Sequence, residues 1–431
     1  MMKRSGKATI LWLLAAGLLA FPVLIWIIAT APSFTWPVIL WELGRLAGLV
    51  GMVILFFQFV LASRIRAFEM DLGQDKLMLL HRKLGITVVV LLFLHSASLT
   101  GFDLISMGML RVNTFRLLGI IAFLLMLVAA ATAMYHQKMG LKYETWKYIH
   151  WINYVVFILV FIHSMWLGTT LRASVPLVVF WYTLLALFHL ILLIKLVRFI
   201  HMRRNPSQVV AVQQATHDTW NLEFDGPKLA HKPGQYLMLA LGRSEGISES
   251  HPFTISSAPG ADRLSATPKE SGDFTSTLGR TKPGDKAYIQ GPYGVFTYER
   301  AQKEKLLFIA GGIGITPFLS MLRDMLRNSV ARDVVLLWGN KTEQDIPFRE
   351  EFARLETELE GLRVHHVMSH QDAYVGEKGF VDAEKIDRLV PDHAQRSVFL
   401  CGPPIMRDML LAHFASIKKP KSDIHVEMFA L

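Results

Sequence analysis

The sequence predicts a membrane α-helical bundle of six transmembrane helices, followed by an antiparallel β-barrel and then by an α/β doubly wound domain. Three observations carry this prediction. Six apolar runs, each near the ~20 residues that a spanning helix needs, fall before about Arg198. Short alternating segments broken by Pro-Gly, Gly-Pro and Gly-Asp turns follow. After Lys305 strand and helix patterns alternate, as in a parallel sheet covered on both faces. The implied domains are 1–204, 205–300 and 301–431.

The apolar runs are roughly Ala8 to Thr30, Val38 to Ala62, His81 to Thr100, Phe115 to Tyr135, Tyr148 to Leu167 and Val175 to Val197. With 52% hydrophobic residues in 431 and a mean hydropathy of +0.35, the chain is too apolar for a soluble enzyme. The first run ends in Ala29-Thr30-Ala31, which resembles a signal-peptide cleavage site. Its apolar core is too long for one and Pro32 would obstruct processing, so it reads as an anchor helix. Lysine and arginine set the orientation. Lys3, Arg4 and Lys7 precede the first run; Arg64, Arg66, Lys76, Arg82 and Lys83 separate the second from the third; Lys138, Lys142 and Lys147 separate the fourth from the fifth; Arg198, Arg203 and Arg204 follow the sixth. The opposite loops hold only Arg111, Arg116 and Arg172. Both termini are therefore expected in the cytoplasm of a multi-pass plasma-membrane protein, the inner membrane in a bacterium. Anchoring to anionic lipid accounts for the net charge of +10 without nucleic acid. A single cysteine excludes an internal disulfide framework and a cysteine-ligated cluster.

Titratable side chains inside a spanning helix are costly and usually mark function. Within the third run a segment opens on His81 and closes on His95; within the fifth, another runs from His150 to His163. Spacings of 14 and 13 residues separate each pair by roughly 20 Å along a helix, so each helix carries one imidazole towards each membrane face. Facing imidazoles on two helices form a cage for haem iron, His81 with His150 at the inner level and His95 with His163 at the outer. Fourteen steps return His95 to within about 40° of His81, whereas thirteen leave His163 about 140° away from His150. The fifth helix must kink, wind more tightly, or offer its imidazoles to displaced partners. His189 reads as structural.

In the last third, Gly311, Gly312, Gly314, Thr316 and Pro317 lie between a buried strand and a helix. There glycines let the backbone approach a pyrophosphate and the helix N-terminus favours its charge. His251-Pro252-Phe253-Thr254-Ile255-Ser256-Ser257, that glycine turn, Cys401-Gly402-Pro403-Pro404 and Glu427-Met428-Phe429 occur in the order seen in ferredoxin-reductase-like flavoproteins. With six preceding helices and two histidine pairs, nearly the whole chain resembles the NADPH oxidase and ferric reductase family, and within it the short bacterial NADPH oxidases.

The resemblance implies two haem b, FAD, and NADPH or NADH. By it, His251, Pro252, Phe253, Thr254 and Ser256 line the flavin, with Thr254 near its reactive nitrogen; Gly272, Thr275 and Ser276 hold its pyrophosphate. Gly311, Gly312, Gly314, Thr316 and Pro317 bind the dinucleotide, Cys401, Gly402 and Pro403 lie beside the nicotinamide, and Phe429 covers the flavin. His251 stands where soluble relatives often have arginine, which favours the membrane branch. Lys341 or Arg349 could serve a 2′-phosphate, or either could be a solvated charge.

The expected activity is a transmembrane NAD(P)H oxidase that reduces molecular oxygen to superoxide outside. Bis-histidine irons leave oxygen no coordination position, so reduction falls at the edge of the outer haem. Arg172, nine residues beyond His163, could attract the developing anion or be an interfacial snorkelling arginine. A reductase of ferric chelates is the alternative acceptor reading. Two others are an electron-donating subunit that docks to a periplasmic partner, and a flavin reductase on an inert anchor. No calcium-binding loop or appended regulatory segment is visible, so activity is expected without an activating protein.

Overall fold

The computed structural model describes residues 6–29, 35–65, 69, 73–136, 138–226, 229–244 and 246–427. The chain forms two compact units that divide at Val197 and Arg198.

The first unit holds α1 (Gly6–Ala29), α2 (Trp36–Leu61), α3 (Gln74–Met107), α4 (Thr114–Tyr135), α5 (Tyr143–Trp151), α6 (Asn153–Leu167), the short α7 (Thr169–Arg172) and the start of α8 (Val175–Arg204). Among the described residues six spans are long and apolar enough to cross a membrane, α5 and α6 together making one. The central helix is α2, with 61% of its apolar window buried against 6–28% for the others. Its Met52, Val53 and Phe56 pack with Val156 and Phe157 of α6 and with Trp181, Leu184 and Phe188 of α8. α3 lies along α2 and α6 along α4, with no comparable backbone packing between α3 and α6 among the described residues. The two histidine-bearing helices thus face each other across a gap.

α3 outruns the segment His81 to Thr100 expected from hydropathy at both ends. At its outer end it absorbs a carboxylate, because fully buried Asp103 is neutralised by Arg111 (Nη2 to Oδ1, 2.9 Å) and by Arg116. It then stops at Gly108, whose left-handed φ of 68° ends the helix and whose N–H donates to Leu104. The fifth span is broken at Ile152. There the Ile152 N–H donates three residues back to the Ile149 carbonyl at 3.1 Å, and Asn153 Nδ2 donates to the His150 carbonyl at 2.8 Å. Tighter winding at this turn, over which the helix advances further per residue, therefore makes up part of the 13-residue spacing.

In the second unit, β1 (Ser207–Thr216), β2 (Thr219–Asp225), β3 (Tyr236–Arg243), β4 (Gly246–Ile247), β5 (His251–Thr254), β6 (Leu264–Ala266) and β7 (Lys286–Tyr293) form an antiparallel sheet in the order β4-β3-β7-β1-β2-β6, with β5 on β3. "Barrel" describes it only loosely: β5 pairs with β3, and its continuation reaches β6 only through the isolated bridge Ile255–Ala266 and the Ser256 N–H donating to the Ser265 carbonyl at 2.8 Å. Next come β8 (Lys305–Gly311), β9 (Asp333–Asn340), β10 (Leu362–Met368), β11 (Glu377–Lys378), β12 (Ser397–Cys401) and β13 (Ile424–Glu427), a parallel sheet ordered β11-β10-β9-β8-β12-β13. α9 (Thr316–Arg327), α10 (Arg349–Glu358), α11 (Ala383–Leu389) and α12 (Pro404–Ser416) supply its crossovers. Strand order reverses between β8 and β12, so the crevice at the carboxyl ends of those two strands is where such a sheet takes a ligand.

Candidate redox and nucleotide sites

The structure brings the four membrane histidines together in two pairs. Ring centroids of His81 and His150 lie 6.0 Å apart, and those of His95 and His163 lie 6.1 Å apart. Two metal–imidazole bonds of about 2 Å, plus ~1 Å from each nitrogen to its ring centre, come to roughly the same separation. At the outer level, His95 Nδ1–H donates to the Gly44 carbonyl and His163 Nδ1–H to the Phe115 carbonyl, both at 2.8 Å. Those bonds leave each Nε2 unprotonated, the tautomer a metal needs. At the inner level the Gln58 and Ala129 carbonyls face His81 and His150. No hydrogen bond closes there, and both buried Nδ1 atoms are unpartnered.

Backbone geometry sets these contacts. Gly44 and Gln58 are fourteen residues apart on α2, matching His81 and His95 on the antiparallel α3. Phe115 and Ala129 on α4 are also fourteen apart, against thirteen for His150 and His163, and the tightened turn at Ile152 absorbs part of the difference. Two glycines let the neighbouring helices come close. A Cβ on Gly48 would lie 2.8 Å from His95 Nδ1, and one on Gly119 would lie 2.5 Å from His163 Nδ1 and Cε1.

His95 and His163 line one cavity of about 450 Å³, within the range of cofactor pockets. Its lining is mostly apolar and includes four arginines, Arg45, Arg111, Arg116 and Arg172. Three of these arginines are paired: Arg45 with Glu42, Arg111 and Arg116 with Asp103. Arg172 is exposed, donates to the Trp166 carbonyl at 3.1 Å, and has no carboxylate partner among the described residues. Arg45 escaped the sequence reading because it sits inside a spanning run. His189 donates to the Leu185 carbonyl in its own helix, a structural bond.

In the antiparallel sheet, the His251 ring stacks on Phe274 at 4.5 Å, with Phe253 on the same ring at 6.0 Å. Thr254 is buried. Ser256 is fully buried, its hydroxyl engaged by Ser265 and Thr267 at 2.9 Å. Its hydroxyl is therefore bonded within the sheet interior. Thr275 Oγ1 accepts from the Ser271 and Gly272 N–H groups at 2.8 and 3.0 Å, shaping the loop that also carries Ser276.

At the parallel sheet, the glycine turn follows β8 and leads into α9 as expected. Gly312 has φ of 53°, and a Cβ on Gly314 would fall 2.2 Å from the Cys401 carbonyl oxygen, so the turns after β8 and β12 can touch only through glycine. Gly311 sits against Pro403, and Gly402 against Gly311 and Met406. Thr316 Oγ1 donates back to the Ile313 carbonyl, with Pro317 in the first turn of the helix. The Cys401 thiol is fully enclosed, and burial, with Glu427 nearby, pushes its pKa well up. Burial thus disfavours its thiolate. Arg349 is tied to Glu343 at 2.6 Å, while Lys341 is exposed. Asn340, beside them, is buried with both amide atoms unpartnered, a feature unreadable from sequence. Phe429 lies outside the described residues.

Residues 47–161 match the model of the ferric reductase like transmembrane component, 204–297 that of an FAD-binding domain, and 308–411 that of the oxidoreductase NAD-binding domain. The chain belongs to the NADPH oxidase and ferric reductase-like family. Its reductase half, about half of the chain, is similar to several reductases and reductase subunits. The chain is 31% identical over 238 residues to ferredoxin--NADP reductase B of Sorangium cellulosum, covering 52% of this chain and 96% of that protein. It is 27% identical over 212 residues to the glycine betaine monooxygenase reductase subunit of Pseudomonas aeruginosa, covering 46% of this chain and 58% of that subunit's length. Among solved structures, flavohemoglobin from Malassezia yamatoensis aligns with a TM-score of 0.50 at 20% identity, over 92% of this chain and 97% of that one, a likeness of fold. Together these make the chain a multi-pass membrane oxidoreductase with FAD- and NAD-binding domains.

Proposed function

We propose that the chain is a transmembrane NAD(P)H oxidase, carrying electrons from cytosolic NAD(P)H through FAD and two b-type haems to oxygen on the outer side. The double histidine pair, with rings 6.0 and 6.1 Å apart across a gap between spans, carries this reading. Bound flavin would accept the hydride pair and release electrons singly to bis-imidazole haem iron, chemistry no side chain supplies.

In this reading His81 with His150 and His95 with His163 hold the two irons. The Gly44 and Phe115 carbonyls fix the outer tautomers, and the basic loops keep the flavin half in the cytosol. His251, Phe253 and Thr254 line the flavin; Gly272, Thr275 and Ser276 hold its pyrophosphate. Gly311, Gly312 and Gly314 give the dinucleotide close backbone approach, and Cys401 borders it as a neutral wall. Arg172, without a carboxylate partner among the described residues, presents a positive charge where an anion would form. The balance is NAD(P)H with two oxygen molecules giving NAD(P)⁺, two superoxide ions and one proton.

A ferric-chelate reductase would use the same path, and Arg172 would serve an anionic chelate equally. Purified protein would be assayed for haem content under anaerobiosis, then for dye reduction in air that superoxide dismutase abolishes, and separately for anaerobic chelate reduction. Two haems with dismutase-sensitive reduction are expected. Chelate reduction alone would transfer the assignment to a metalloreductase, and absence of porphyrin would reduce it to a tethered flavoenzyme.

A further inference from the structure

Far along the chain from the glycine turn, three potential donors converge between α11, the turn after it and α12. Asp387 lies on α11, His393 in the 3-10 turn after it, and His413 in the last turn of α12. Asp387 Oδ1 is 2.9 Å from His393 Nε2 and 3.3 Å from His413 Nε2. The three donor atoms lie within 4.8 Å of one another. Donors about 2.0–2.1 Å from a tetrahedral zinc ion are separated by roughly 3.3 Å, so the spacing suits such an ion.

Two further features favour a ligand over a plain hydrogen-bond network. His413 Nε2 is buried yet makes no hydrogen bond, since its approach to Asp387 is poorly aligned. Asp387 has no lysine or arginine partner among the described residues and is 56% exposed, which gives an ion both charge and a path. The other donor cluster, His217 with Asp218 and Asp345, fails on this count. Lys269 already holds Asp218 at 2.9 Å, and Asp345 caps the turn at Thr342. Lys419, whose ammonium donates to the His393 carbonyl at 2.9 Å, opposes a cation and will limit affinity.

We propose that Asp387, His393 and His413 form a binding site for Zn²⁺ or a similar borderline divalent ion, with water completing its coordination. The site joins α11, the 3-10 turn and the C-terminal end of α12, the helix that opens on the Cys401-Gly402-Pro403 turn. It needs neither haem nor flavin, and its test is independent of them.

Full-length protein in detergent, without a histidine tag, would be titrated with zinc chloride by calorimetry and by equilibrium dialysis with metal analysis. Asp387→Asn keeps an acceptor for His393, and His413→Gln removes the partly buried donor; His217→Gln is the control. The expected result is one zinc equivalent in the parent and the control, weakened at least about tenfold in both site variants. No bound equivalent in the parent, or equal affinity in parent and Asp387→Asn, would overturn the proposal. If His413→Gln fails to fold, Asp387→Asn alone decides.

Discussion

Gly119→Ala should remove the outer haem while leaving the fold intact. A methyl group at this position would sit 2.5 Å from both Nδ1 and Cε1 of His163, whereas ordinary contact begins at 3.4 Å. The imidazole must therefore retreat by nearly 1 Å, stretching its 2.8 Å bond to the Phe115 carbonyl beyond hydrogen-bonding range. Loss of such an orienting bond typically weakens metal binding 10–100-fold. Alanine in place of glycine inside a helix favours the helix by about 1 kcal/mol, so unfolding would not explain the loss. Haem per polypeptide, measured as the pyridine complex on purified protein, should fall from two to one, with flavin content unchanged. Gly48→Ala should act in the same direction on His95, more mildly, because the encroachment there is 2.8 Å. Two haems retained in Gly119→Ala, with unaltered midpoint potentials, would refute the assignment of His163 as an outer ligand.

Gly314→Ala drives a Cβ to 2.2 Å from the Cys401 carbonyl, a backbone atom that cannot step aside; the KM for NAD(P)H should rise about tenfold or more, with haem content unchanged, as steady-state titration will show. Arg172→Ala should raise the KM for the outer acceptor severalfold, and unchanged turnover and oxygen affinity would remove this residue from the mechanism. Arg396, 1% exposed, bridges Asp333 and Asp392. Arg396→Ala should cost about 3 kcal/mol of unfolding free energy, the low end for breaking a buried pair because both carboxylates keep some water. The Arg396 guanidinium, aided by Lys305, holds the Asp392 carboxyl down at about 2, below its unfolded value of about 3.9. Its stabilisation is therefore full above pH 4 and lost as pH falls from 4 towards 2, and acid unfolding should lose this component in Arg396→Ala.

Much of this architecture was legible because its signals are local. Uninterrupted apolar runs mark spans, and β1 and β2 coincide with the alternating segments SQVVAVQQAT and TWNLEFD. The 13-residue interval between His150 and His163 announced that something must give, but not where; Asn153 and Ile152 settle that through bonds no periodicity records. The extension of α3 to Met107 was hidden because it depends on Asp103 meeting two arginines beyond the helix end. Gly48 and Gly119 looked like ordinary small residues in apolar helices until the imidazoles behind them were in place. The bonds of the Ser256 hydroxyl to Ser265 and Thr267 were hidden because a hydroxyl in a matching motif does not reveal which strand will lie beside it. The two-residue strands β4 and β11 are too short to leave a pattern at all.

The outer imidazoles are oriented by main-chain oxygens of Gly44 and Phe115, two residues with nothing in common chemically. Every amino acid brings the same carbonyl, so α2 and α4 can exchange side chains at those positions without disturbing what they hold, provided space permits. What they cannot do is gain or lose a residue between the two levels. Deletions and insertions in these stretches should therefore prove far more damaging than substitutions.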